Sequence, residues 1–169
     1  MINKLIASAL AGLALAVPGQ ARIESGTSDL INLIDDSGIA VLVDTEDCTS
    51  GEYLGLYRHR GMKRAFILCP GGEVDAADHM VVRHEAIHVI QHCVNMARGT
   101  SVYTPIINDD EKLMKWVRFH LSEDQITEIK RLYPEKHWKI EFEAFAGMNA
   151  YSADELADLF ESACLYDDD

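Results

Sequence analysis

After an apolar start and one short helical segment, apolar positions along this chain follow strand-like runs as far as Cys69 and a helical period from Asp75 onward. Residues 28–36 read as a short helix, capped by Thr27 or Ser28 and stopped near Gly38. Residues 38–44, GIAVLVD, are compact and β-branched and read as a buried strand. Residues 52–57 and 64–69 read as two strands joined through His59-Arg60-Gly61-Met62-Lys63, with Tyr53 and Tyr57 on one side of the first. Pro70-Gly71-Gly72 breaks the chain, and Asp75 is placed to cap a long helix that ends before Gly99. Within that helix Val82, Ala86, Val89, Ile90, Cys93 and Ala97 form one apolar face, while His84, His88 and Gln91 fall on another.

Beyond Pro105 every periodic segment is helical. Residues 109–120 form one candidate helix. Ser122 with Gln125 makes a capping box that opens a second, which Pro134 ends. Residues 136–149 form a third. Ser152 with Glu155 opens a last helix that reaches Cys164, before an acidic tail at 167–169. The sum is an α+β chain: a small antiparallel sheet, one long central helix and a helical C-terminal half. No internal repeat or linker divides it, so residues 22–169 are expected to form a single domain.

The opening stretch changes how the rest is read. Met1-Ile2-Asn3-Lys4 is a short positive start, an apolar run covers residues 5–17, and Pro18-Gly19-Gln20-Ala21 offers small residues for cleavage. This is the pattern of a secretory signal, cut after Ala21, and the run is too short to span a membrane comfortably. The mature chain is therefore expected to be exported, periplasmic or secreted, without stable membrane insertion. Its net charge of −13 becomes −14 once Lys4 is removed. Such an acidic surface repels phosphate backbones and argues against nucleic-acid binding.

Four cysteines, Cys48, Cys69, Cys93 and Cys164, read as two disulfides in an exported chain. No C-x-x-C pair exists to favour a cysteine zinc site. A hairpin of the two strands brings Cys48 and Cys69 to the same end, which favours that bridge. Cys93 faces the core, where a later helix can meet it.

The chemistry-bearing segment is His84-Glu85-Ala86-Ile87-His88, an H-E-x-x-H pattern within the long helix. Two histidines four apart share a helix face and can reach one zinc ion about 2.0–2.1 Å from each ligating nitrogen. Glu85 is placed to take the proton of a zinc-activated water. His92 continues the ladder but lies about 6 Å further along the axis than His88, out of reach of a shared ion. A third ligand is sought in Glu141-Phe142-Glu143-Ala144, two carboxylates set among apolar residues, whose burial needs a positive partner. A metal would serve, as would Lys136, Lys139 or an arginine.

With these two segments the chain resembles the gluzincin class of zinc metallopeptidases, which place H-E-x-x-H on one helix and a glutamate on a second. The E-x-x-A context of that glutamate maps onto Glu141 with Ala144, with Glu143 as the competing choice. The resemblance implies a minimal zincin-like fold and one zinc per chain held by His84, His88 and Glu141. It implies Glu85 as general base in peptide-bond hydrolysis, a peptide or protein substrate, and an edge strand that pairs with it. It also suggests a cysteine-stapled member, with Cys93 bridged to Cys164. Metzincins would need glycine at Gln91 and histidine at Val94. Many gluzincins carry an aspartate at the position of Phe145 to orient a zinc-binding histidine, and its absence motivates an alternative. That alternative is a secreted zinc-binding or disulfide-stapled interaction domain without catalysis. Tyr151 and His137 are the candidates for stabilising an oxyanion.

Overall fold

A computed structural model of the chain describes residues 26–50, 54–60, 63–69, 76–100 and 103–165. The expected signal at 1–21, Tyr53, Asp75 and the acidic tail at 167–169 lie outside the described residues. The elements run α1 (Thr27–Asp36), β1 (Ala40–Val43), a 3-10 turn (Glu46–Ser50), β2 (Gly55–Arg60), β3 (Lys63–Leu68) and α2 (Ala76–Ala97). They continue with α3 (Asp110–His120), α4 (Glu123–Leu132), a second 3-10 turn (Glu135–His137), α5 (Trp138–Ala150) and α6 (Ala153–Cys164). The architecture is α+β with a helical C-terminal half, as the periodicity predicts.

Two features of the sheet differ from expectation. Its strand order is β1-β3-β2, with β2 antiparallel and β1 parallel to β3, so the sheet is mixed. The β1 run is also not buried: it forms a sheet edge on which Leu42 and Val43 are exposed, while Ile39 just before it is buried. A β-branched run suits a pleated surface in the middle or at the edge of a sheet, and only the tertiary order decides which. The hairpin is tighter than read from sequence, with β2 running to Arg60 and β3 resuming at Lys63.

The helix starts follow local chemistry. Asp109 accepts from Lys112 N at 2.9 Å, and both predicted capping boxes, Ser122 with Gln125 and Ser152 with Glu155, are formed. Helix α1 is the exception: Gly26, at φ 102°, occupies its N-cap, and neither Thr27 nor Ser28 caps it.

Helix α2 is the centre of the molecule, packed on α5, α6 and the β2 side of the sheet. Its expected apolar face from Val82 to Cys93 is buried, although Ala97 at the end is exposed. The opposite flank is buried too, so the helix carries His84, Glu85, His88, Gln91, His92 and Asn95 out of water. Each of these polar groups then needs a partner or a reason. Helix α5 can lie close against α2 because Gly147 has no side chain; a Cβ there would run into Ile87.

Both predicted disulfides are formed. Cys48 and Cys69 are bridged with a Cα separation of 5.4 Å, tying the 3-10 turn to the end of β3. Cys93 and Cys164 are bridged at 5.1 Å, tying α2 to the end of α6. Two bridges fit an oxidising compartment. Among the described residues, no helix is long and apolar enough to cross a membrane.

Candidate metal centre

One turn of α2 aims two imidazoles at the same point. His84 Nε2 and His88 Nε2 are 3.1 Å apart, and Glu141 Oε2, brought in by α5, lies 3.5 Å from each. Donors held about 2.0–2.2 Å from one tetrahedral ion stand roughly 3.3–3.6 Å from each other, close to these spacings. At 3.5 Å neither contact of Glu141 is a good hydrogen bond, and Oε2 is buried with no hydrogen-bond partner among the described residues. A buried carboxylate oxygen without donors, facing two nitrogens, is a position that positive charge could complete. This cluster of His84, His88 and Glu141 could hold a metal ion.

The charges of His88 and Glu141 depend on one another. Burial opposes a charge on His88, but the Glu141 carboxylate outweighs it and lifts the imidazole to about 9. Burial likewise opposes ionisation of Glu141, and the two histidines overcome it and hold the carboxyl at about 2. A proton on His88 thus supplies the positive charge that a cation would supply, and metal binding would release it.

The neighbouring glutamate has a different task. Glu143 accepts from the amides of Ile106 and Ile107 at 2.7 and 2.8 Å and from Gln91 Nε2 at 2.9 Å. Its oxygens are occupied, and it faces the segment before α3. Of the two glutamates left open by sequence, Glu141 joins the histidines and Glu143 does not. Neither pairs with a lysine: Lys139 is bonded to Asp110, and Lys136 lines the cleft over the site.

Gln91 connects the two. Its Nε2 donates to Ile140 O and Glu143, which orients its amide so that Oε1 accepts from His88 Nδ1 at 2.8 Å. With the proton fixed on Nδ1, the neutral ring presents a lone pair on Nε2. Sequence reading placed Gln91 on the correct face but missed this partnership. His84 has no equivalent: Phe145, at the position of the missing aspartate, packs on its ring at 4.4 Å, and Nδ1 is buried without a partner among the described residues.

Glu85 points to the sheet side, where Oε2 accepts from Tyr57 N at 2.7 Å. A cleft of about 410 Å³ opens over Glu85 and the cluster. Strand β2 forms one wall, with Gly55, Leu56, Tyr57 and His59, and the second 3-10 turn with the start of α5 forms the other, with Lys136, His137 and Ile140. Tyr103 closes one end, held by its hydroxyl donating to His88 O at 2.7 Å. Burial pushes the Tyr103 phenol far up and the Tyr57 phenol to about 12, the latter against a small opposing effect of Arg64, so both are neutral donors. Tyr103 was not singled out from sequence. It is held there because Asn95 bonds Thr104 on both its amide and carbonyl and Arg98 bonds Ile106 O, stitching this segment to α2.

His92 does not join the cluster; its ring packs edge-on against His59 at 4.3 Å. Of the two oxyanion candidates, His137 lines the cleft, whereas Tyr151 packs on Trp116. The chain matches no known family model, none of the curated proteins and no solved structure.

Proposed function

We propose that the chain is an exported zinc-dependent peptidase of gluzincin type. The observation that carries this reading is the meeting of His84, His88 and the donor-less Glu141 beneath a cleft that also exposes Glu85. Two imidazoles and one carboxylate are the donor set of a catalytic zinc with an open position. Zinc, when bound, supplies Lewis acidity that acidifies water and polarises a carbonyl. Glu85 Oε2 is taken by the Tyr57 amide, leaving Oε1 to accept a proton from the attacking water and return it to the leaving nitrogen. His137 and Lys136 on the facing wall are placed to meet the substrate carbonyl, and the cleft-lining stretch of β2 would offer an extended peptide the backbone groups that Glu85 does not use. The two disulfides and the apolar start of the sequence support export.

The test is metal content of the purified mature chain by mass spectrometry, with His84→Ala, Glu141→Ala and Glu85→Gln variants. One zinc per chain is expected, lost in the first two and kept in the third, together with peptide hydrolysis that Glu85→Gln abolishes. Zinc retained without Glu141, or turnover by Glu85→Gln, overturns the assignment.

A second reading is a secreted zinc-binding domain without catalysis, favoured by the unpartnered His84 Nδ1 beside Phe145. It predicts stoichiometric zinc with no hydrolysis of any peptide.

A further inference from the structure

We infer that strand β2 positions the Glu85 carboxylate, through the amide of Tyr57 and through the absence of a side chain at Gly55. This rests on the reading of Glu85 as the base. Cys69 N donates to Leu54 O at 2.9 Å, and hydrogen-bonded pairs alternate along an antiparallel ladder. With the register Tyr57↔Phe66, the Tyr57 amide therefore faces away from β3, toward α2. There it meets Glu85 Oε2 at 2.7 Å, a short charge-assisted bond from a rigid donor.

Gly55 sets how near the strand can come. A Cβ at this position would collide with Val81 Cγ1 and stand 3.0 Å from Glu85 Cγ. Val81 and Glu85 lie one turn apart on α2, so the strand edge rests on the ridge that carries the base. Any side chain at 55 pushes β2 off that ridge and opens the bond from Tyr57. The carboxylate then regains rotamer freedom and no longer presents Oε1 in one place. Gly55 and Tyr57 are thus positioning residues, acting through Glu85.

The zinc-loaded full chain provides the test. Gly55→Ala is expected to lower kcat on a cleaved peptide at least tenfold, with KM and zinc content within twofold of wild type. Val81→Ala alone is expected to be near wild type, and the Gly55→Ala/Val81→Ala pair to recover most of the lost kcat, since the clash with Val81 is removed. Tyr57→Pro, which deletes the outward amide without breaking a ladder bond, should lose at least tenfold more kcat than Tyr57→Ala, which keeps it. Independently of turnover, hydrogen exchange at the Tyr57 amide should speed up at least tenfold in Glu85→Ala. Wild-type kcat in Gly55→Ala, equal kcat in the proline and alanine variants, no recovery by Val81→Ala, or unchanged exchange each overturns the inference. A zinc-loaded wild type inert to every peptide overturns the peptidase reading instead, and the exchange measurement tells the two failures apart.

Discussion

Replacing Gln91 with methionine removes one side chain's three hydrogen bonds while filling nearly the same volume, so little cavity cost enters. The losses are unequal. Glu143 keeps two backbone donors, from Ile106 and Ile107. Ile140 O lies within α5 and keeps its helical acceptor role. His88 Nδ1–H, however, is left buried with no acceptor, at about 1–3 kcal/mol, and the lost bond to the Glu143 carboxylate adds about 1 kcal/mol. The metal-free protein should therefore lose about 2–4 kcal/mol, read from urea unfolding with an unchanged m-value. The same substitution frees the His88 ring to rotate and to change tautomer. Zinc affinity of the folded protein, measured by competition with a chromophoric chelator, should fall about 10–100-fold. Destabilisation with a zinc Kd within twofold of wild type would show that Gln91 supports the core but does not orient the ligand, and would refute the reasoning.

Glu143→Gln tests the separation of the two glutamates: its amide must set a donor against at least one of the three donors it now receives. It should destabilise the fold by about 2–3 kcal/mol while retaining zinc, whereas Glu141→Gln should lose zinc, both checked by unfolding and metal analysis. Burial lowers His92 to about 4, aided by the charges of His59 and Arg64. The unfolded state then binds more protons between about pH 6.5 and 4, and stability falls with acidification across that window by up to about 1.4 kcal/mol per pH unit. In metal-free protein His92→Gln should flatten this part of the stability–pH curve; an unchanged slope refutes it. The Cys93–Cys164 bridge closes a separation of 71 residues and Cys48–Cys69 one of 21, so paired alanine substitutions should cost about 4 and about 3 kcal/mol. Thermal denaturation ranks them, and the reverse order would mean that loop entropy does not govern these bridges.

Which parts of the site could be read in advance depends on how far apart in sequence the deciding groups lie. His84, Glu85 and His88 are set by a single helical turn, and their i, i+4 geometry is the same in sequence and structure. The capping boxes at Ser122 and Ser152 are equally local, and both formed. The mixed sheet, the exposed β1 edge and the need for glycine at 55 are not local. Each depends on an element packed from elsewhere, Gly55 on a helix some thirty residues later.

The two glutamates make the point most sharply. Glu141 and Glu143 sit two residues apart on α5, both buried and both flanked by apolar side chains, so no periodicity separates them. What separates them is the number of donors each finds after folding. Glu143 meets two amides of the segment before α3 and the Gln91 side chain, a supply set by how Asn95 and Arg98 pin that segment to α2. Glu141 Oε2 meets no donor at hydrogen-bonding distance, only two imidazole nitrogens at 3.5 Å. A carboxylate cannot be carried into a protein interior on those terms unless positive charge comes with it. In the metal-free chain a proton on His88 meets that demand, and a cation shared by the three residues would meet it with better-matched distances. The ligand we propose is thus the glutamate that folding leaves unsatisfied, a property that exists only once the loop, α2 and α5 have been brought together.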